Sequence, residues 1–106
     1  MGDFLRRMFG RLIRVFPMPD INDSVAVRKY TQRILGFLDG AADWCPGQWD
    51  DEIVHLAQSL VGDDETWAAI HAFIVARLAN EPGPELAPEA GELAAALTGA
   101  IAENTA

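Results

Sequence analysis

Apolar residues recur along this chain at helical spacing. Phe4, Leu5, Met8, Phe9, Leu12, Ile13 and Phe16 form a broad stripe on one side of a helix predicted over 3–16. Arg6, Arg7, Arg11 and Arg14 take the other side. Asp3 suits the N-cap, and Pro17 and Pro19 stop the helix. After the stiff connector PMPDIND, Asp23 or Ser24 opens a second helix, 24–39. Its inward stripe is Val27, Tyr30, Ile34, Phe37 and Leu38, with Arg28, Lys29, Gln32 and Arg33 outward and Gly40 as the expected stop. GAADWCPGQ, 40–48, reads as a loop with room for one helical turn at Ala41–Trp44, anchored by Trp44 and Trp49.

The pattern is strongest from Trp49 to Asn80. Asp50, Asp51 and Glu52 set negative charge at the start of a helix 50–61, where the helix dipole favours it. Gly62 ends that helix, and Asp63 or Asp64 caps the next, 65–79, which gives an antiparallel hairpin. This fourth helix is apolar nearly all round, interrupted by His71 and Arg77. Its apolar run falls short of the roughly 20 residues of a membrane span. Such a helix is expected to be covered on every side, by the bundle or by a partner. NEPGPELAP breaks the helix, and 89–103 follows as a weak one, with a narrow stripe of Leu93, Leu97 and Ile101 and two glycines.

These elements predict an all-α fold: a small four- to five-helix bundle built on the 50–61/65–79 hairpin, in one domain spanning 1–106. The helices 24–39, 50–61 and 65–79 are expected at its centre. The 3–16 and 89–103 helices are expected to be peripheral or exchanged between chains.

Charge changes the picture. The formal net charge is −8, which argues against general binding to nucleic acid. Residues 1–33 carry seven cations and three acids, 7 − 3 = +4, and residues 34–106 carry Arg77 and thirteen acids, 1 − 13 = −12. Such a split suggests an interaction surface, or a basic start lying on the acidic remainder of its own or a sister chain. The lone Cys45 excludes an intrachain disulfide and fits a reducing compartment. The start lacks the uninterrupted apolar core of a secretory signal. A cytoplasmic protein is therefore expected, with contact at the inner membrane face as an option. Seven arginines against one lysine fit a GC-rich bacterial or phage genome. In general look the chain resembles accessory proteins of phages and mobile elements, a likeness of style that assigns no residue a role.

Candidate chemistry is sparse. Glu52 and His55 have the ExxH spacing of carboxylate-bridged di-iron bundles, but the partner glutamates are missing, so His55 is expected to pair with Asp51 and Glu52 on a solvated face. His71 is expected to be a core histidine with a satisfied ring nitrogen, and Cys45 an idle thiol. No phosphate loop, zinc pattern or nucleophile elbow is present, so neither catalysis nor a cofactor is expected.

The chain is therefore expected to be a non-enzymatic interaction or assembly protein, an accessory protein or small subunit. It would dock on a protein partner, a sister chain or a membrane surface through Phe4, Arg6, Arg7, Met8, Arg11, Leu12, Arg14 and Phe16. The competing expectation is an acidic, nucleic-acid-mimicking inhibitor presenting Asp50, Asp51, Asp63 and Asp64 to a nucleic-acid-binding protein.

Overall fold

The computed structural model describes residues 2–44 and 51–105, with side chains for 5–40 and 52–104. The expected Trp44–Trp49 anchors, Cys45, Asp50 and the side chains of Phe4 and Asp51 lie outside the described residues. The described residues form five helices: α1 (Gly2–Val15), α2 (Ser24–Trp44), α3 (Asp51–Gly62), α4 (Asp64–Leu78) and α5 (Pro88–Thr105). They pack as a small helical bundle, and among the described residues there is no strand.

Local chemistry accounts for the ends. The Asp23 carboxylate accepts from the Ala26 N–H at 3.1 Å and caps α2. Asp63, in an extended conformation, accepts from the Thr66 N–H and caps α4 while separating it from α3 by a single residue. Pro88 opens α5, where a missing N–H is harmless. The end of α4 is a Schellman motif: Glu81 N–H donates to Ala76 O at 2.8 Å and Asn80 N–H to Arg77 O at 3.1 Å. Asn80 takes the left-handed conformation there, φ 60°. The expected stop at Gly40 is not used, and α2 runs on to Trp44. Gly40 keeps a negative-φ helical backbone, and an interior glycine costs only about 1 kcal/mol, less than the packing of the helix returns.

Packing departs from expectation in three places. First, α5 is not peripheral. Ala90, Leu93, Ala94, Ala96, Leu97, Ala100 and Ile101 are all buried, and α5 touches α1, α3 and α4. Its alanines add little apolar surface and Gly99 weakens the helix, yet these small residues leave room for neighbours, as Gly99 does for Arg6. Second, α1 is packed along α5 in the most extensive helix pair of the molecule. Leu5, Phe9 and Ile13 are buried, and Met8, Leu12 and Phe16 pack at the edge of the same core. Third, α4 is not surrounded. Trp67, Ile70 and Ile74 are buried, while Ala68 and Ala72 face solvent. Alanine exposes so little apolar surface that an uncovered alanine face costs little.

Arg28 was expected to face outward. Instead its guanidinium crosses to the α3–α4 corner, with Nε donating to Val61 O and Nη2 to Gly62 O, each at 2.9 Å. Nη1 lies 2.8 Å from Asp64 Oδ1. Two of the four carbonyls left open at the end of α3 are thereby satisfied by a side chain of α2.

Candidate interaction surface

The packing of α1 sorts its predicted docking residues into two sets. Met8, Leu12 and Phe16 turn toward the protein's own core. Arg6, Arg7, Arg11 and Arg14 are exposed. Arg6 is ion-paired with Glu103 of α5. Arg6 also lies against Gly99, and Gly10 against Glu103, with Asn104 Nδ2 reaching Gly10 O at 3.5 Å. These contacts place α1 and α5 side by side and running in the same sense. Between them the arginines, Gly10 and Glu103 line a shallow trough of about 430 Å³. The side chains of Arg11 and Arg14 form no ion pair or hydrogen bond among the described residues.

Beyond the end of α1 the basic surface continues into an apolar one. Phe16 is the hub. Its carbonyl accepts from the Tyr30 hydroxyl at 2.9 Å. Its ring meets Phe37 edge-on, centroids 6.0 Å apart, and lies under the Arg33 guanidinium at 6.0 Å. Pro17, Met18, Pro19 and Tyr30, with Lys29 and Arg33 on the rim, line a groove of about 490 Å³. Val15 is 72 % exposed and Phe37 52 %, large apolar side chains left on the surface of this region. Burial pushes the Tyr30 hydroxyl above the ordinary phenol range.

The residues weighed for other chemistry are placed differently. Asp63 is engaged as a helix cap, and the Thr66 hydroxyl and N–H hold its carboxylate below the usual range. Asp64 faces Arg28. His55 pairs with Asp39 of α2, Nε2 to Oδ1 at 3.0 Å; the side chain of Asp51, one of its two expected partners, lies outside the described residues. His71 bonds the Ile21 carbonyl at 2.9 Å and lies beside the Trp67 ring, whose N–H reaches Ser24. These two α4 residues clasp the turn before α2. Among the described residues no three His, Cys, Asp or Glu side chains gather as a metal site would require. No described helix is long and apolar enough to cross a membrane.

The sequence marks the arginines of α1 as one face of a helix. It does not mark the groove at Pro17–Pro19, because the connector reads only as a stiff link. The signal available was Pro-Met-Pro, apolar and rigid, beside an exposed Lys29/Arg33 face. No family model, curated protein or solved structure matches this chain.

Proposed function

We propose that this is a non-enzymatic interaction or assembly protein that docks an acidic partner surface through the arginine face of α1. One observation carries the reading: the apolar stripe of α1 is engaged by α5 while Arg11 and Arg14 stand exposed and unpaired among the described residues. Cations concentrated on one helix of a protein of net charge −8 create a local field opposite to that of the rest of the molecule. Such fields steer association and set orientation. Because Leu5, Phe9 and Ile13 of α1 are buried and Met8 and Leu12 pack at the edge of the core, docking uses its guanidinium groups and not an inserted apolar stripe. Removing α1 outright would also expose the core, so a charge reversal is the better test. Affinity capture from a bacterial host with wild-type bait is compared with Arg11→Glu/Arg14→Glu bait. A partner held by the first and released by the second, with both baits equally folded by circular dichroism, supports docking. Identical capture by both baits counts against it.

A further inference from the structure

The groove beside Phe16 and the segment 81–89 are complementary in charge and share an apolar, proline-rich character. The groove offers an apolar floor of Pro17, Met18, Pro19 and the Tyr30 ring, with Lys29 and Arg33 on its rim. Neither rim cation has a carboxylate partner among the described residues; Arg33 rests only on the Phe16 ring. Glu81-Pro82-Gly83-Pro84-Glu85-Leu86-Ala87-Pro88-Glu89 is the converse. Residues 81–87 are non-helical, and Glu81, Pro82, Pro84, Glu85, Ala87, Pro88 and Glu89 are exposed. The three glutamates have no side-chain ion pair or hydrogen bond among the described residues.

The segment is also held in place. A Cβ on Gly83 would stand 3.2 Å from the Phe73 backbone, so glycine lets the chain lie flat on α4 there. Leu86 packs against the core. Pro82 and Pro84, in the non-helical part, hold φ near the polyproline value, and aromatic-lined grooves bind such pre-set segments with little loss of entropy.

We propose that the groove of one copy receives the 81–89 segment of a second copy, with the segment's glutamates on Lys29 and Arg33. The proposal rests on the interaction-protein reading and names a partner for the surface adjoining α1. The net charge of each copy does not forbid it, since at physiological salt charges more than about 8 Å apart are largely screened and the local pairing governs. A nine-residue segment makes a small interface. Reciprocal seating doubles it, and the expected assembly is weak and concentration-dependent.

The test is sedimentation equilibrium of the full chain from micromolar to millimolar protein. The wild type is expected to rise above its 11.5 kDa monomer mass. Lys29→Glu/Arg33→Glu and Glu85→Lys/Glu89→Lys should each weaken association by roughly a hundredfold, because like charges then face each other. Mixing these two variants places opposite charges together in both grooves, so the mixture should re-associate. Thermal melts of each variant separate loss of association from loss of fold. A wild type that stays at 11.5 kDa throughout, an assembly that both variants retain, or a mixture that does not re-associate overturns the proposal. If self-association fails but partner capture still depends on Arg11 and Arg14, only the self-docking inference falls. If capture survives Arg11→Glu/Arg14→Glu, the docking reading itself falls.

Discussion

Replacing Arg28 by alanine should be the most damaging change of a partly exposed residue in this protein. The guanidinium makes two hydrogen bonds to the last carbonyls of α3 and one ion pair to Asp64. A hydrogen bond to a charged group contributes about 1.5–3 kcal/mol when well shielded. The part-buried bond to Val61 O is set at the lower end, about 1.5 kcal/mol, and the exposed bond to Gly62 O at about 0.5 kcal/mol, together about 2 kcal/mol. A cation at a helix C-terminus adds about 0.3–1 kcal/mol. The Asp64 side chain is 90 % exposed, so its ion pair adds little. The expected cost of Arg28→Ala is therefore about 2–3 kcal/mol, a shift in Tm on the order of 10–20 °C for a domain of this size. Arg28→Lys keeps the charge but not the fork and should fall about midway. Asp64→Asn should cost less than about 1 kcal/mol. Urea denaturation followed by far-ultraviolet circular dichroism measures all three, with m-values compared to confirm a common unfolded state. A cost for Arg28→Ala below about 0.5 kcal/mol would refute the capping argument. So would an Asp64→Asn penalty equal to that of Arg28→Ala, which would assign the effect to the ion pair.

The remaining predictions concern α1, the cap of α4 and the groove. Phe9→Ala should cost about 3–5 kcal/mol, because the ring is fully buried, while Arg11→Ala stays within about 0.5 kcal/mol; thermal and urea melts report both. Asp63 titrates below its unfolded range in the native state. Its cap therefore stabilises above about pH 4 and is lost as pH falls through the depressed value. Tm should thus drop on acidification more in the wild type than in Asp63→Asn, and parallel Tm–pH curves would contradict this. Tyr30 is the sole tyrosine, so absorbance at alkaline pH reads it alone. Its ionisation should lie above that of free tyrosine in the folded protein and return to the ordinary value in denaturant. The stabilisation linked to its neutral form is present below the unfolded phenol range and lost as pH rises through the raised value.

Much of this fold is written in spacing. The stripes at Leu5–Phe9–Ile13 and Leu93–Leu97–Ile101 are buried as their periodicity predicts, and Asp23 and Asp63 cap as their positions suggest. What spacing does not carry is the choice of neighbour. A narrow stripe diluted by alanine and glycine looks marginal in isolation, yet small residues are what allow α5 to serve α1, α3 and α4 at once. The richly apolar α4 looks central, yet much of its apolarity is alanine, which tolerates water. Long polar side chains are the least legible. Arg28 reads as solvent-facing until the α3–α4 corner lies within its reach, and nothing in the local spacing of His55 points to Asp39 on another helix. For the candidate surface, the arginines of α1 were visible as one face of an amphipathic helix. Which face would be spent on the core could be settled only once α5 was in place.

The central claim is that α1 gives its apolar side to its own bundle and its arginine side to a partner. The most direct measurement places a photo-crosslinking amino acid at position 14, and in a second protein at position 72 on the exposed alanine face of α4, and irradiates each in the native host. The account predicts a discrete protein adduct from position 14, abolished by Arg11→Glu, and none from position 72. Equal adducts from both positions, or an adduct from position 72 alone, would contradict it.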